Sequence, residues 1–459
     1  MKDGQSVNKL NARALAVQIL RRIEEEKAYA NLVMQKALAV LSDPRERQLT
    51  TLLVNGTLKN RLTLDYALRR HLRKPLGELP HEVRWILRVS AFQILYLERI
   101  PQAAAINEGV ELTKRGQRKY TPLVNSVLRR VGEDGWDFPW PDKEKEPVRY
   151  LSLRYSHPEW MVKRWLKRYG LADTEALCQV NNEPAPIWIR TNTLKISPAN
   201  LQVRLTGEGV KVIPGERVPE SLLIEDFGDM EKLSGFEEGL FTVQDESSQL
   251  VAHVLNPQPG QRVLDACGAP GGKTTHLAQK MENQGEILAI DIHPHKVALI
   301  NDLARRLGIT IIKAQAGDAR ELPGVMDKSC HKVLVDAPCS GLGVLRRRAD
   351  MRWHKEEKEI SELPRLQLAT LERAAQTVAP GGELVYSTCT IEPEENFEVV
   401  KAFRAKHPDF LPVNLAEELP FSLTSEQDLK QAQKGFWQIL PHKHGMDGFF
   451  LAKFRREEV

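Results

Sequence analysis

The sequence predicts a multidomain protein whose C-terminal half is an α/β domain built on a doubly wound, mostly parallel sheet. An all-α domain and a small α+β domain are predicted to precede it. Strand-like and helical segments alternate after residue 241, and helical periodicity dominates the first 130 residues. A segment rich in glycine, proline and acidic residues separates these two parts. The length of 459 residues is enough for about three domains.

The first domain, residues 1–135, is predicted to be helical throughout. Apolar residues recur at helical spacing over 15–23 and again over 81–97 (HEVRWILRVSAFQILYL). Pro101 ends the second of these helices, and Gly116 stands where a helix C-cap is expected. We therefore expect a bundle of amphipathic helices in this part of the chain.

Two segments are predicted between the helical and the α/β domains. Residues 136–150 show no periodicity and are rich in glycine, proline and acidic residues, which is typical of an interdomain linker. Residues 151–240 are predicted to form a small α+β domain. It begins with a helix that ends at Gly170 and continues with the strand PIWIRTNTL (186–194) and a helix capped by Ser197.

The α/β domain, residues 241–459, is indicated by apolar strands that lack polar alternation. Such strands are typical of a parallel sheet that is covered on both faces. The five strand segments are QRVLD (261–265), EILAID (286–291), ITIIKAQ (309–315), KVLVD (332–336) and ELVYS (383–387).

Composition and charge exclude several classes of protein. With 42% hydrophobic and 27% charged residues, the chain is neither collagen-like nor wholly disordered. No apolar run approaches the ~18 residues of a membrane span, and Met1–Leu10 has no apolar signal core. Residues 1–130 hold 24 Lys and Arg against 12 Asp and Glu, a net charge of +12, whereas the rest of the chain has a net charge of −8. This asymmetry predicts that the front domain binds a polyanion, with solvated helix faces as the alternative.

The cysteines argue against a disulfide framework and against a cysteine-rich zinc site. Their number is odd, and no CxxC pair is present. We therefore expect a cytosolic protein in which any special cysteine acts as a thiol. The five cysteines are Cys178, Cys267, Cys330, Cys339 and Cys389.

A glycine-rich turn, VLDACGAPGGKTTHLA (263–278), runs from the first of the five strands into a helix. Its spacing is neither GxGxxG nor GxxxxGK[ST], and Pro270 lacks a backbone donor that a pyrophosphate would use. Asp291 follows Gly272 by 19 residues and ends the next strand, where a carboxylate can bind both hydroxyls of a ribose. An adenosyl ligand without phosphates fits best, and a purely structural turn is the alternative.

Five polar residues stand at or after the carboxyl ends of the five predicted strands. In open α/β sheets this edge is where ligands bind. Each residue alone is more often a helix cap or a small buried side chain, but five in register indicate a functional site. The series is Asp265, Asp291, Asp318, Asp336 and Cys389.

Two cysteine motifs resemble those of the RNA cytosine-5 methyltransferases. They are VDAPCSG (335–341) and STCT (387–390), and the resemblance covers 241–459. It includes VQDESSQ (243–249) and GMDGFFLAKF (445–454), where the family carries DGFF. The family implies a Rossmann-like fold that uses S-adenosylmethionine as cofactor.

Two further features bear on the family. The glycine turn reads CGAPGGK where the family usually has CAAPGGK, and the glycine at 268 keeps the backbone N–H groups in place. In the front domain, PQAAAINEGVELTK (101–114) and TPLVNSVLRR (121–130) resemble the RNA-binding factor NusB. The combination is similar to the bacterial enzymes that methylate 16S ribosomal RNA, and it implies the family's site at rRNA position 967.

The resemblance assigns roles to individual residues. Cys389 would be the nucleophile that adds to carbon 6 of cytosine, Cys339 would assist product release, and Asp336 would contact the base. In DNA cytosine methyltransferases the nucleophile is the cysteine of a Pro-Cys motif, so Cys339 is the alternative nucleophile. The cofactor-binding residues implied are Cys267, Gly268, Ala269, Pro270, Gly271, Gly272, Lys273, Asp291, Asp318 and Asp336.

Other functions remain open at this point. Adenine N6 methylation is disfavoured because the DAPCS loop lacks the aromatic residue that stacks on the base. The chain could also be a non-catalytic RNA-binding assembly factor, or a cytosine-5 methyltransferase that acts on another RNA. We expect a monomer that binds 16S rRNA, naked or in an early small-subunit particle, without a metal ion and without a membrane.

Overall fold

The computed structural model of this protein describes residues 11–324 and 329–458. The prediction that Met1–Leu10 holds no signal core therefore falls outside the described residues. Within the described residues, no helix combines the length and the apolar character that a membrane span requires.

The chain divides into two compact units. The first, called here the helical unit, comprises Met1–Glu183 and Leu345–Lys355. The second, called the sheet unit, comprises Pro184–Val344 and Glu356–Val459. The sequence suggested four segments, and this division differs from them. Residues 151–183 group with the front helices, and so does a short stretch after the fourth predicted strand.

Amphipathic helices build the described part of the helical unit, and α5 lies at its centre. The apolar helix α5 contacts α1, α3, α4, α6 and α7. Asn11 and Asp43 cap α1 and α3 by accepting hydrogen bonds from backbone N–H groups of the first turn. The helices are α1 (Ala12–Glu26), α2 (Ala30–Leu38), α3 (Pro44–Lys59), α4 (Arg61–Arg69), α5 (His81–Tyr96), α6 (Gln102–Gly116), α7 (Thr121–Asp134), α8 (Pro147–Tyr155), α9 (Glu159–Val180) and α14 (Met351–His354).

The segment 136–150, predicted to be a linker, packs on the helical unit instead. Phe138 is buried, and the ring of Trp140 stacks on Tyr66 of α4 with centroids 5.5 Å apart. The Tyr66 hydroxyl donates a 2.6 Å hydrogen bond to the carbonyl of Pro139. The glycines, prolines and acidic residues suggested a linker, but aromatic residues at alternate positions, starting at Trp136, attach the segment to the helices.

Within α9, the structure places a break where the sequence predicted a helix end. Gly170 has a φ of 76°, which is in the left-handed region, and helical residues lie on both sides of it. Glycine adopts this conformation without the steric cost that a Cβ atom imposes. The predicted helix thus ends at Gly170, and a second helical segment follows directly.

The stretch Leu345–Lys355 is held in the helical unit by a buried arginine. The Arg352 guanidinium donates hydrogen bonds to Ser156 O at 3.0 Å, to Asn182 Oδ1 at 2.9 Å and to Lys59 O at 3.3 Å. These acceptors lie at the C-terminal ends of α3, α8 and α9, where helix dipoles favour a positive charge. At the N-terminus of α2, Asp350 accepts a 2.8 Å hydrogen bond from a backbone N–H.

The sheet unit contains a small antiparallel sheet with strand order β2-β3-β1-β4. The predicted strand at 186–194 corresponds to β1, and Ser197 caps α10 by accepting a hydrogen bond from the Asn200 backbone N–H. The elements are β1 (Ile187–Thr191), α10 (Pro198–Gly207), β2 (Lys211–Pro214), β3 (Ser221–Glu225) and β4 (Phe241–Val243).

The large sheet has strand order β10-β12-β9-β8-β5-β6-β7, with β11 paired to β12. The five predicted strands are β5 to β9 and run parallel. Three further strands are antiparallel to their neighbours. The strands are β5 (Arg262–Asp265), β6 (Glu286–Asp291), β7 (Ile312–Ala316), β8 (Cys330–Asp336), β9 (Val378–Thr388), β10 (Phe410–Pro412), β11 (Phe436–Ile439) and β12 (Phe449–Arg456).

Two buried apolar clusters pack against this sheet and include alternate residues of its parallel strands. The chain passes from β5 to β6 and β7 on one side, and then returns to β8 and β9 on the other. The strand order therefore reverses between β5 and β8, where α/β sheets bind ligands. The helices of this part are α11 (Glu246–Leu255), α12 (Gly272–Lys280), α13 (Pro294–Leu307), α15 (Glu359–Ala375), α16 (Phe397–Lys406), α17 (Glu426–Gln433) and α18 (Pro441–His444).

Candidate active site

The series of polar residues predicted from the sequence lies along one edge of the large sheet. Asp265, Asp291 and Asp336 are the last residues of β5, β6 and β8. Asp318 follows β7 by two residues, and Cys389 follows β9 directly. Because these strands are parallel, the structure gathers the series at their common carboxyl edge.

The glycine turn connects β5 to α12 at this edge. The Gly268 N–H donates to the carbonyl of Ile290, and the Gly271 N–H donates to the carbonyl of Gly268, both at 2.8 Å. Gly271 has a φ of 106°, and a Cβ atom there would lie 3.1 Å from the Cα of Ile300. The turn thus needs glycine at 271, and it leads into the N-terminus of α12, whose first N–H groups have no partner within the helix.

Two residues of the turn region have raised pKa values, and one of them, the buried Asp265, also supports the turn. Asp265 accepts a 2.7 Å hydrogen bond from the Thr274 hydroxyl, which ties β5 to α12. Burial raises the pKa of Asp265 to about 6. Burial and the neighbouring carboxylates raise the pKa of Cys267, so this cysteine stays a thiol at neutral pH.

Lys273 and Asp336 form an ion pair between the turn and β8. Lys273 Nζ lies 2.7 Å from Asp336 Oδ2, and the Ser387 hydroxyl donates a 2.8 Å hydrogen bond to Asp336 Oδ1. Burial alone would lower the pKa of Lys273, but the charges of Asp336 and Cys389 raise it above its ordinary value. Both oxygens of the Asp336 carboxylate are therefore held in place, and a cation lies close to Cys389.

The two cysteines of the motifs meet although 50 residues separate them in the chain. Cys339 Sγ and Cys389 Sγ lie 3.3 Å apart, within hydrogen-bond distance, and both side chains are partly accessible. The hydrogen bond with Cys389, followed by burial, raises the pKa of Cys339 well above its ordinary value. The pair therefore keeps a proton on Cys339, and the Lys273 ammonium favours negative charge on Cys389.

A layer of buried polar residues beneath the cysteines was not assigned from the sequence. Glu395 accepts hydrogen bonds from the Ser340 N–H at 2.7 Å and from the Thr390 hydroxyl at 3.2 Å. Asn396 donates a 2.9 Å hydrogen bond to the carbonyl of Thr390. Burial raises the pKa of Glu395. These contacts fix the residues next to each cysteine, and the only signal in the sequence was the run PEEN (393–396) after the second motif.

The close approach of two loops accounts for the glycine of the DGFF sequence. The Gly343 N–H donates to the carbonyl of Cys389 at 3.0 Å, and the Gly448 N–H donates to the carbonyl of Gly343 at 2.8 Å. A Cβ atom on Gly343 would lie 2.0 Å from the Gly448 carbonyl oxygen. Glycine at both positions therefore lets the backbone support the loop that carries Cys389.

The two remaining predicted carboxylates lie on the β6 and β7 side. Asp291 is half-buried and accepts a 2.9 Å hydrogen bond from the His293 N–H through Oδ1. Among the described residues, its Oδ2 has no hydrogen-bond donor. Asp318 is bound by the Arg320 guanidinium, whose hydrogen bonds lower the pKa of Asp318. The structure thus brings both carboxylates to the predicted edge and leaves one oxygen of Asp291 available.

The sequence predicted no metal ion. The described residues contain one group of side chains of the types that bind metals. Glu220, His253 and His276 place their ligand atoms within 4.8 Å of one another. Both imidazole Nε2 atoms contact the same oxygen, Glu220 Oε1, that of His253 at 2.8 Å. Two imidazoles that converge on one carboxylate oxygen form a hydrogen-bonded cluster.

Comparisons with known proteins agree with this architecture. The family model of 16S rRNA methyltransferase RsmB/F matches residues 252–455, the NusB family model matches residues 10–133, and the model of an RsmF/B-like ferredoxin-like domain matches residues 157–231. The predicted fold class, with a NusB-like domain, a small α+β domain and a Rossmann-like domain, is confirmed.

Individual relatives extend the similarity to the whole chain. Probable ribosomal RNA small subunit methyltransferase B of Bacillus subtilis is 40% identical over 456 residues, which are 98% of this chain and 100% of the relative. The crystal structure of PH0851 has a TM-score of 0.79 and 28% identity over 97% of this chain and 99% of that chain. NSun6 from Pyrococcus horikoshii, solved with SFG, has a TM-score of 0.58 and 27% identity over 65% of this chain and 98% of that chain. On this full-length similarity, the chain belongs to the family of 16S rRNA methyltransferases RsmB/F and is an RNA methyltransferase.

Proposed function

We propose that this protein methylates carbon 5 of one cytosine in 16S rRNA, with S-adenosylmethionine as the methyl donor, through a covalent adduct between Cys389 and carbon 6. The observation that carries the proposal is the thiol pair. Two cysteines 3.3 Å apart, next to the Lys273–Asp336 ion pair, are the groups that this chemistry requires and that a methyl transfer to adenine N6 would not use.

The site suits an adenosyl cofactor without phosphates. The available oxygen of Asp291 would bind the ribose hydroxyls, and Asp318 would accept a hydrogen bond from the adenine amino group. The N–H groups at the start of α12 would bind the amino acid part of the cofactor. When bound, S-adenosylmethionine would supply a methyl group on a sulfonium, which an electron-rich carbon can attack.

The two thiols divide the work of covalent catalysis. Addition of the Cys389 sulfur to carbon 6 moves the electron pair of the ring double bond to carbon 5, which then becomes nucleophilic. After the methyl group has been received, carbon 5 loses its proton to a base, and the bond from carbon 6 to Cys389 breaks. Cys339 lies beside the leaving sulfur, and we assign it to this release step.

Asp336 would recognise the base. A carboxylate accepts a hydrogen bond from the cytosine N4 amino group, whereas the O4 of uracil offers no donor. Because Lys273 and Ser387 hold both carboxylate oxygens of Asp336, the carboxylate is preorganised when the base enters. A cytosine in a loop, or one flipped out of its stack, can reach such an edge.

The helical unit would supply affinity for RNA. Five cations at the end of α6, in the short turn that follows it and in α7 are exposed, and none forms an ion pair with another described residue. Such cations can neutralise phosphates at little cost, because they give up no internal ion pair on binding. They are Arg115, Arg118, Lys119, Arg129 and Arg130.

Bisulfite sequencing of 16S rRNA tests the proposal against its alternatives. In cells that lack this protein, one cytosine should lose its methylation, and the family resemblance indicates position 967. Purified protein should restore the mark on rRNA from those cells when S-adenosylmethionine is added. An unchanged rRNA methylation pattern would favour a non-catalytic assembly factor, and a mark lost from another RNA would redirect the substrate assignment.

A further inference from the structure

The helix that starts at the glycine turn is attached along one polar face to the small sheet. On α12, Gly272, Thr275 and Gln279 recur at helical spacing and face residues of β1 and the loop after it. At the far end, the Gln279 amide donates hydrogen bonds of 2.9 Å to the carbonyl of Thr191 and to the hydroxyl of Thr193. The small sheet thus holds the cofactor-side helix over about two turns.

The near end of this face is held by Arg190, a fully buried residue of β1. Its guanidinium donates a 2.7 Å hydrogen bond to the carbonyl of Gly272 and a 3.0 Å hydrogen bond to the Thr275 hydroxyl. That hydroxyl donates in turn to the carbonyl of Gly271 at 2.7 Å. Arg190 therefore fixes the carbonyls of both glycines that end the turn, one directly and one through Thr275.

Fixing these carbonyls also fixes the N–H groups on the opposite side of the same peptide planes. In a trans peptide the C=O of one residue and the N–H of the next point in opposite directions. The carbonyls of Gly271 and Gly272 are held on the side of Arg190. The N–H groups of Gly272 and Lys273 therefore point away from Arg190, out of the N-terminal end of the helix. These N–H groups have no acceptor within the helix.

Arg190 also brings a positive charge that no carboxylate neutralises by contact. Its hydrogen-bond partners are neutral groups of Gln244, Gly272 and Thr275, and it forms no ion pair within the described part of the chain. The nearby Glu220 acts on it through space, while the Glu220 carboxylate itself is bound to histidines. A buried charge without a contacting counter-ion is costly, which points to an anionic ligand at this end of α12.

We propose that Arg190 is a positioning residue for the cofactor: it orients the N–H groups of the glycine turn and provides the charge that attracts the carboxylate of the cofactor's amino acid part. The inference depends on the proposed use of S-adenosylmethionine, which carries one carboxylate and no phosphate. Helix N-termini bind such anions. Lys273 is the nearer cation in sequence, but its ammonium is already paired with Asp336.

Two ligands that differ in this carboxylate test the proposal on the full-length protein. S-adenosylhomocysteine has the amino acid part, whereas 5′-methylthioadenosine keeps the nucleoside and the thioether without it. By calorimetry, Arg190→Met should weaken S-adenosylhomocysteine binding by about tenfold and change methylthioadenosine binding by less than about twofold. Arg190→Lys keeps the charge and should recover part of the loss. Gln279→Leu is the matched control, because it removes the hydrogen bonds at the far end of the same helix face.

Each outcome decides between roles. An equal loss for both ligands in Arg190→Met would show that the residue only holds the fold, and unchanged affinity for both would also overturn the proposal. If Arg190→Met does not fold, the comparison is made with Arg190→Lys. In that case Arg190→Lys must lose more affinity for S-adenosylhomocysteine, relative to methylthioadenosine, than Gln279→Leu does. Wild-type protein that binds neither ligand would contradict the proposed function itself, whereas wild-type binding without a selective loss would contradict only this inference.

Discussion

Replacing Arg352 by leucine should strongly destabilise the helical unit. The guanidinium is fully buried, and its two shortest hydrogen bonds run to Ser156 O at 3.0 Å and Asn182 Oδ1 at 2.9 Å. Leucine would retain apolar contact but leave both acceptors without a donor. Each buried unsatisfied acceptor costs about 1–3 kcal/mol, so we expect a loss of about 2–6 kcal/mol in the free energy of unfolding.

The control for this change lies four residues earlier. Arg348 belongs to the same segment but is exposed, so Arg348→Leu should change the free energy of unfolding by less than about 0.5 kcal/mol. Denaturant unfolding of the full-length variants, followed by far-ultraviolet circular dichroism, measures both effects. If Arg352→Leu lowered the stability no more than Arg348→Leu does, the segment 345–355 would not be an integral part of the helical unit.

Two further predictions concern the ligands. Asp291→Ala should weaken cofactor binding by about 1–3 kcal/mol, because the ribose hydroxyls would lose a charged acceptor, and calorimetry with an unchanged affinity would contradict the assignment. Replacing both Arg118 and Arg130 by glutamine should lower the affinity for RNA. It should also make the plot of the logarithm of the binding constant against the logarithm of the salt concentration less steep, by about 0.7–0.9 for each phosphate that the protein no longer neutralises. Lys114→Gln is the control, because Lys114 is paired with Glu111. If it weakened RNA binding as much as the replacement of Arg118 and Arg130 does, these two arginines would not form a specific contact surface.

The sequence predicted the parallel part of the large sheet well because those strands are buried on both faces. An apolar run such as that of β6 has no polar alternation, and the structure shows why, since apolar clusters cover the sheet on either side. The antiparallel strands were harder to predict. β10 has three residues and β11 has four, too few to show a period, and β12 was noticed only for its DGFF sequence.

Contacts between distant segments explain what the sequence did not reveal. Arg352 joins helix ends that lie 170 to 293 residues away in the chain, so no local pattern indicates that its segment belongs with the front helices. The same holds for Arg190, which stands in a strand that the sequence predicted without assigning this residue a role. Glu395 follows the second cysteine motif closely, but a glutamate in a run such as PEEN is more often on the surface.

The pair Cys339 and Cys389 was predicted to act together from two short motifs, and the structure brings their sulfurs to 3.3 Å. Their roles stay predictions, because a distance does not say which thiol attacks. The pKa of Cys339, raised well above its ordinary value, and the charge of Lys273 support Cys389 as the nucleophile.

Covalent trapping of RNA by cysteine variants tests the central claim most directly. Cys339→Ser protein, incubated with unmethylated 16S rRNA and S-adenosylmethionine, should accumulate as a protein–RNA band that persists in denaturant, because the adduct forms and is not released. Cys389→Ser should give no such band and no turnover, since a hydroxyl is far less ionised than a thiol at neutral pH. Trapping by Cys389→Ser instead would exchange the two roles. Two variants that both stay active without an adduct would contradict covalent catalysis by this pair.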